Sequence, residues 1–465
     1  MRNLLLTGAL LAAAVTAVAD QPSDDIVARL DAIREQSGMA SAYVLMVDRD
    51  KILVQQGLGV RSWEDPRPVT EQDYYRLGSI SKAFTGLALL RAEEQGCLRL
   101  DDTVRKHAAQ LPYINPWQQP ITLAMLMEHT AGWFDMSWKE FKYNEPVSLE
   151  RAFRVNPVSR ISQWPPGRHQ SYSSSGPGVA AWVLEQACDV DFEAFIAQQV
   201  FAPLQMPSAT FARNDEVRQH LVGGYNTDPK EPIRYWHFLY RPAGAMNVRP
   251  VEMANFLHLL LNRGTLQGKQ VFTPAQMARM HTPTTTLAAR DGMQYGYGLG
   301  IYADIRGGHV IYGHGGDADG YLTRFAYSPE SGRGFFVVIT MFDHAPLGKM
   351  RKLLENWLVA DLPPAEVPPY TADPQDLYPL TGYYRPLTTR FNRPGWQDRR
   401  MRVRLSAARL QYQLDDWSPQ RWKTLVPVAT NQYRHFDEPV ATVWFGAHEG
   451  NIVFQGEVGN WQQFK

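Results

Sequence analysis

A serine and a lysine three residues apart are the first residues of this chain that could do chemistry together. Ser79 and Lys82 lie in "LGSISKAFTG", at the start of an apolar helical pattern. This spacing puts both side chains on one face of a helix. A neutral lysine could take the serine proton, because burial and the positive end of a helix both lower the pKa of an amine. The pair predicts a nucleophile and its base, although an S-x-x-K motif also arises by chance.

A second candidate is a tyrosine in a turn rich in glycine and serine. Tyr172 lies in "GRHQSYSSSG", just before a helical pattern. A tyrosine is a poor base at its ordinary pKa of about 10. Beside a cationic lysine its phenolate becomes reachable, so that Lys82 and Tyr172 could share one proton. Taken singly, Tyr172 is better explained as a packed aromatic residue in a surface turn.

A third candidate is "YGHGGDADGY", where a strand pattern ends at His314 and two glycines follow. Glycines let the backbone approach a ligand closely. His314 could hydrogen-bond or charge-pair with a substrate, and the N–H of Asp317 could point at a developing oxyanion. A plain strand and turn is the structural alternative. Metal binding by His309, His314, Asp317 and Asp319 is another, but their spacing fits no standard ligand set, so we predict neither a metal nor a cofactor.

The three segments occur in the order S-x-x-K, Y-x-S and H-G-G, each at the boundary of an element. At this point the chain resembles the class C β-lactamases and their relatives among DD-peptidases, D-aminopeptidases and family VIII esterases. The resemblance runs from about residue 25 to 355. It is carried by "YYRLGSISKAFTG", "ITLAMLMEHTAG", "PPGRHQSYSSSG", "AGAMNVRPVEMANFL", "YGYGLGIY" and "YGHGGDADGY".

This resemblance implies an acyl-enzyme mechanism. Ser79 would be the nucleophile, and Lys82 and Tyr172 would handle its proton. The N–H groups of Ser79 and Asp317 would form the oxyanion hole. The residues expected to bind the substrate are Ser174, His314, Gly316 and Asp317.

Two motifs depart from those of true β-lactamases. The middle motif of the family usually reads Tyr-x-Asn, and here Ser174 replaces the asparagine. A serine is shorter and cannot bridge a substrate amide and the lysine in the same way. The third motif is usually Lys-Thr-Gly, whereas here it is His314-Gly315-Gly316, and histidine carries at most a partial charge near neutral pH. Both departures argue against efficient β-lactam hydrolysis and leave ester or peptide hydrolysis open.

The patterns around these motifs indicate an α/β (α+β) domain followed by a β-rich tail. Strand patterns stand at both ends of a long helical middle, in "AYVLMVDRDKILVQQGLG" and in "GHVIYGHGG", "YLTRFAYSP" and "GFFVVITMF". We therefore expect an antiparallel sheet built from distant segments, flanked by helices, over residues 20–360. A proline-rich linker follows at 361–376. Alternating patterns over 377–465 predict a small all-β barrel, and its opening "YPLTGYY" resembles lipocalin-like modules of some of these hydrolases.

The first 19 residues are typical of a signal peptide, with a positive start, an apolar run and an A-x-A-like site at "AVA". We therefore expect an exported protein, periplasmic or secreted, and no later stretch is apolar enough to span a membrane.

The 47 basic and 47 acidic residues give a formal charge of zero, which disfavours a nucleic-acid partner. Cys97 and Cys188 could form a disulfide in an oxidising compartment or remain two buried thiols.

The leading hypothesis is an exported serine hydrolase that cleaves a small ester, amide or peptide through an acyl-serine intermediate. One alternative is a D-amino-acid-specific peptidase or weak β-lactamase that acts on cell-wall-related substrates. Another is a penicillin-recognising binding protein that acylates slowly. A Ser-His-Asp hydrolase of the nucleophile-elbow type is not expected, because the chain lacks G-x-S-x-G.

Overall fold

The computed structural model describes residues 22–228, 231–367, 369 and 372–464. The predicted signal peptide and three residues of the predicted linker (368, 370 and 371) lie outside this description. Within these ranges, no helix is long and apolar enough to cross a membrane.

Helices of very different length surround the sheet and fill the middle of the chain. They are α1 Pro22–Ser37, α2 Ser81–Glu94, α3 Val104–His107, α4 Leu123–Met127, α5 Trp138–Phe141, α6 Leu149–Val155, α7 Ser175–Cys188, α8 Phe192–Ile196, α9 Asp215–His220, α10 Met253–Leu261, α11 Pro274–His281, α12 Leu287–Arg290, α13 His344–Val359 and α14 Pro374–Leu377. A π-helical turn and several 3₁₀ turns join them, including the turn Gly78–Ile80 that leads into α2.

The strands form one large sheet, two short two-stranded sheets and a closed barrel. Those outside the barrel are β1 Ser41–Val47, β2 Ile52–Gly59, β3 Tyr75–Arg76, β4 Asn247–Val248, β5 Thr265–Leu266, β6 Lys269–Gln270, β7 Tyr302–Arg306, β8 His309–Ala318, β9 Tyr321–Ser328 and β10 Arg333–Ile339. Those of the barrel are β11 Gly382–Pro386, β12 Met401–Ser406, β13 Arg409–Leu414, β14 Lys423–Ala429, β15 Gln432–His435, β16 Ala441–His448, β17 Asn451–Gly456 and β18 Gly459–Phe464.

The large sheet has the order β2-β1-β10-β9-β8-β7, and each neighbouring pair is antiparallel. Every residue of β1 is buried, because α1 and α13 pack on one face of the sheet and α10 packs on the other. Burial on both faces explains why this strand reads as a continuous apolar run and not as an alternating one. The predicted antiparallel sheet built from distant segments is thus confirmed.

The tail folds into a closed eight-stranded antiparallel barrel, which confirms the predicted all-β fold. Its strands alternate as a barrel requires: Met401 and Val403 of β12 are buried, whereas Arg402 and Arg404 between them are exposed. The inward side chains form a core of their own.

The barrel packs beside the segment that carries Tyr172. The amide nitrogen of Gln455 donates to the carbonyl of Arg168 at 2.9 Å, and that of Asn460 donates to the carbonyl of Gln170 at 2.8 Å. Both donors are buried, so the contact excludes water. The tail is therefore held within a few residues of a predicted catalytic side chain.

The two cysteines, whose state the sequence left open, form a disulfide. Cys97 and Cys188 lie 91 residues apart in the chain, with their Cα atoms 5.2 Å apart. Cys97 follows α2, which carries Lys82, and Cys188 ends α7, which begins just after Ser174. The bond therefore ties together the far ends of two helices whose near ends carry predicted site residues.

Candidate active site

Two glycines allow the turn of Ser79 to lie against the end of β8. Gly78 has a positive φ of 53°, and a Cβ atom on it would lie 2.6 Å from the backbone nitrogen of Asp317. A Cβ atom on Gly316 would lie 1.9 Å from the carbonyl oxygen of Leu77. Only glycine fits at either position without displacing backbone. The backbone of Asp317 is thereby brought beside Ser79, as the predicted oxyanion hole requires.

Lys82 lies directly opposite the predicted nucleophile. Its Nζ atom is 2.9 Å from the Ser79 Oγ atom and donates a hydrogen bond to the carbonyl of Ala243 at 2.7 Å. The pKa of Lys82 is lowered to about 7, mainly by burial and to a lesser degree by the positive charge of Arg390, while Asp135 and Asp317 oppose the shift. Close to neutral pH a large share of the amine is therefore uncharged and able to accept the serine proton.

Tyr172 completes the group of three predicted catalytic side chains. Its hydroxyl is close enough to Ser79 for that side chain to affect its pKa, and its ring centroid lies 5.0 Å from the Lys82 Nζ atom. Desolvation of the hydroxyl raises the pKa of Tyr172 well above its ordinary value, so the phenolate is not reachable near neutral pH. The expected sharing of one proton between Tyr172 and Lys82 is corrected accordingly. Near neutral pH Tyr172 keeps its hydroxyl proton, and Lys82 is the group that can give up a proton.

His314 is a neutral, fully engaged residue and not a cation. Burial lowers the pKa of its imidazole to about 3, and the nearby Lys82 contributes to this shift. The Tyr297 hydroxyl donates to its Nε2 atom at 2.7 Å, and its Nδ1 atom faces the carbonyl of Gly315. A role of His314 in binding the substrate stays a prediction, and the lowered pKa favours hydrogen bonding over charge pairing for it. The ring orients Tyr297, which packs against His129 and Tyr172.

Ser174 is held in place through its backbone. Its N–H donates to the Oδ1 atom of Asp135 at 2.7 Å, and the N–H of Met136 donates to the same oxygen at 2.8 Å. Among the described residues, the Ser174 hydroxyl has no hydrogen-bond partner, which leaves it available to a ligand. Sequence reasoning missed Asp135, whose signal was an aspartate in the otherwise apolar stretch "AGWFDM".

A cation from the barrel, Arg390, contacts both Tyr172 and Asp135. The guanidinium carbon of Arg390 lies 4.5 Å from the ring centroid of Tyr172, and its Nε atom donates to the Oδ2 atom of Asp135 at 2.8 Å. Arg390 belongs to the connection between β11 and β12, far along the chain from the other site residues. No spacing or motif in the sequence pointed to it.

The four residues that were considered as metal ligands, and for which no metal was predicted, form no metal-binding group among the described residues. His309 is bonded to Glu330 at 2.9 Å and to the carbonyl of Pro363 at 3.0 Å, whereas His314 is bonded to Tyr297. Among the described residues, no group of three or more His, Cys, Asp or Glu side chains could hold a metal ion.

A cavity of about 430 Å³ reaches Tyr172 from the side of the barrel. Its walls come from Tyr297 and Met293 of the first domain and from Gln455 and Asn460 of the barrel. A larger cavity of about 850 Å³ lies between α11, β8 and the start of the linker, and none of the predicted site residues lines it. Of these two cavities, the smaller one touches a predicted catalytic side chain, Tyr172, and its lining residues include neither Ser79 nor Lys82.

The pKa of Lys82 predicts the pH dependence of the reaction. If Lys82 acts as the base, its amine must be neutral, and we expect activity to fall as the pH falls through about 7. On a neutral ester, we expect kcat/KM to fall about tenfold per pH unit below that point and to level off above it. A pH–rate profile recorded at constant ionic strength measures this directly. A flat profile between pH 5 and 9 would contradict Lys82 as the base.

Comparison with known proteins finds a family whose model covers most of the first domain. The model of the family described as Beta-lactamase matches residues 24–356. The chain is 24% identical over 371 residues to Putative beta-lactamase-like 1 of Homo sapiens, covering 75% of this chain and 70% of that protein. It is 27% identical over 169 residues to Penicillin-binding protein 4* of Bacillus subtilis, covering 35% of this chain and 36% of that protein. It is 26% identical over 168 residues to a beta-lactamase of Yersinia enterocolitica, covering 36% of this chain and 41% of that protein.

The fold has a counterpart among solved structures. The octameric penicillin-binding protein homologue from Pyrococcus abyssi is similar with a TM-score of 0.63 over 95% of this chain and 100% of that one. The two sequences are 18% identical, so the likeness is one of fold alone. Because the match covers nearly the whole chain, it extends over both the first domain and the barrel.

Proposed function

Because the chain belongs to the beta-lactamase family of serine hydrolases, we propose that it cleaves an ester or amide through an acyl-Ser79 intermediate. The observation that carries this proposal is the contact of 2.9 Å between the Lys82 amine and the Ser79 hydroxyl. Burial lowers the pKa of Lys82 to about 7, so its lone pair is available where the serine proton must go.

In the acylation step, the Ser79 Oγ atom attacks the substrate carbonyl while its proton passes to the Lys82 amine. The N–H groups of Ser79 and Asp317 stabilise the resulting oxyanion. The bond to the leaving alcohol or amine then breaks, and the leaving group takes a proton supplied through the Tyr172 hydroxyl, which Lys82 reprotonates. In the second step Lys82 takes a proton from water, the hydroxide attacks the acyl carbon, and the proton returns to the Ser79 oxygen.

The choice of an ester or peptide substrate over a β-lactam rests on two side chains. Ser174 is too short to take over both contacts of the usual asparagine. His314 is neutral and engaged with Tyr297, so it does not replace the lysine of the usual third motif. A second candidate is a D-amino-acid-specific peptidase or weak β-lactamase, and the names of the Bacillus and Yersinia relatives, a penicillin-binding protein and a beta-lactamase, favour its β-lactamase form.

We also propose that the protein works outside the cytoplasm. The signal-like first 19 residues support this location, and so does the disulfide between Cys97 and Cys188.

The experiment that tests the function combines covalent trapping with a substrate panel. A fluorophosphonate should transfer its phosphonyl group to Ser79 with loss of fluoride, which adds the mass of that group to the peptide that contains Ser79, and should abolish turnover at one equivalent. We expect turnover of p-nitrophenyl hexanoate to exceed that of a D-alanyl anilide and of a chromogenic cephalosporin. Dominant turnover of either of the last two would favour the second candidate. Labelling elsewhere, with full activity retained, would contradict the acyl-Ser79 mechanism itself.

A further inference from the structure

The connection between β11 and β12, residues 387–400, leaves the barrel and lies on the first domain beside the site. Its start is fixed to the barrel, where the N–H of Leu387 donates to the carbonyl of Asn460 at 2.8 Å. The next residues are fixed to the first domain: the Ser171 hydroxyl donates to the carbonyl of Thr389 at 2.9 Å. The N–H of Asp135 donates to the carbonyl of Arg390 at 2.8 Å. The backbone on which Arg390 stands is thus held from both domains.

The Arg390 side chain is anchored by one edge only. Its Nε atom donates to Asp135, whose carboxylate is fully buried, while 52% of the arginine side chain is exposed. Neither terminal nitrogen of Arg390 has a hydrogen-bond partner among the residues that the structure describes. A guanidinium has five N–H donors in a fixed fork. Four of them remain available to a ligand beside Tyr172.

The anchoring carboxylate accepts three hydrogen bonds and is buried behind the guanidinium. The Oδ1 atom of Asp135 accepts the N–H groups of Ser174 and Met136, and its Oδ2 atom accepts the Arg390 Nε donor. Because the carboxylate is fully buried and the guanidinium is half exposed, an incoming anion meets the open edge of the guanidinium first. A planar fork of this kind binds carboxylates in a bidentate manner.

Arg390 is also the permanent cation among these site residues. Burial keeps His314 neutral near pH 7, and the Lys82 amine must be neutral to act as a base. An arginine cannot be deprotonated in a protein, so its charge does not depend on the state of the reaction. Without Arg390, a substrate carboxylate would enter this site with no permanent positive charge beside it. Such a charge transfer into a partly desolvated site is unfavourable.

We propose that Arg390 is the anion-binding residue of this active site, supplied by the barrel domain, and that the preferred substrate carries a carboxylate close to the bond that is cleaved. This inference rests on the proposed hydrolase function. It gives the barrel a direct part in substrate recognition, since its β11–β12 connection completes the site.

The test uses matched pairs of esters that differ only in a carboxylate. One pair is p-nitrophenyl hexanoate and mono-p-nitrophenyl adipate, in which the charge lies on the acyl group. The other is 2-nitrophenyl hexanoate and 3-hexanoyloxy-4-nitrobenzoate, in which it lies on the leaving group. In at least one pair, the unaltered protein should have the higher kcat/KM on the carboxylated ester.

Arg390→Ala should lower kcat/KM on that carboxylated ester about 10- to 100-fold, mainly through KM, as expected for one lost charge-assisted contact. On the neutral member the loss should be clearly smaller, so that the ratio of the two kcat/KM values, both measured on the high-pH plateau, falls in the variant. Arg390→Lys should retain part of the preference, because the charge remains but the fork is lost. Arg393→Ala is the matched control: Arg393 stacks on Phe391 in the same connection and should leave both rates unchanged.

Equal losses on both members of a pair would overturn the proposal, because a merely structural arginine acts on every substrate alike. Absence of a carboxylate preference in both pairs would overturn it as well. Failure of the hydrolase function gives a different result, since none of the four esters would then be turned over in a manner that depends on Ser79.

Discussion

Replacing Ser79 by alanine should lower kcat/KM by at least about 10⁴-fold on every ester that the protein hydrolyses. The variant keeps the oxyanion donors and the binding surface but lacks the oxygen that forms the acyl bond. Loss of a nucleophile typically leaves only the small catalysis that binding and oxyanion stabilisation provide. Initial rates with p-nitrophenyl hexanoate, together with the absence of fluorophosphonate labelling, would measure the effect.

A second serine of the site provides the comparison for that result. Ser174→Ala removes a hydroxyl that has no hydrogen-bond partner among the described residues, while its backbone bond to Asp135 remains. We expect a loss of at most about tenfold, the scale of one neutral hydrogen bond to substrate. Thermal unfolding of both variants should match that of the unaltered protein. Retention of more than a hundredth of the activity in Ser79→Ala would refute the nucleophile assignment.

The elements of the fold were predictable because each has a local signature. Apolar residues at helical spacing predicted the helix that carries Lys82, and strict alternation predicted strand β12 of the barrel. Strand patterns at both ends of a helical middle predicted that distant segments share one sheet, but they did not predict the order of its strands. The register of β1 against β10 has no local signature, since both strands are buried on both faces.

The site was predictable only where one segment brings its residues together. Ser79 and Lys82 share one short stretch of chain, so their contact follows from helix geometry. Asp135 and Arg390 meet only because the barrel packs on the first domain, and the packing of two domains leaves no periodic trace in either sequence. The neutral state of His314 was equally hidden, because its pKa depends on burial by elements from across the chain.

Lys82→Ala should lower kcat/KM about 10³-fold, the effect of losing a well-placed general base. The buried position vacated by the side chain allows a sharper measurement, because a small amine such as methylamine could enter it. Rescue should rise with the concentration of the free base and not with that of the ammonium ion, since only the neutral amine accepts the Ser79 proton.

Lys82→Arg separates the base from the charge. An arginine keeps a cation at this position but cannot become neutral, so the variant should be as inactive as Lys82→Ala. Lys142→Ala is the matched control, because Lys142 is half exposed, lies 3.9 Å from Asp319 and touches none of the catalytic side chains. If Lys82→Arg kept the activity of the unaltered protein, the lysine would act by its positive charge. The lowered pKa of Lys82 would then be a consequence of burial without a role in catalysis.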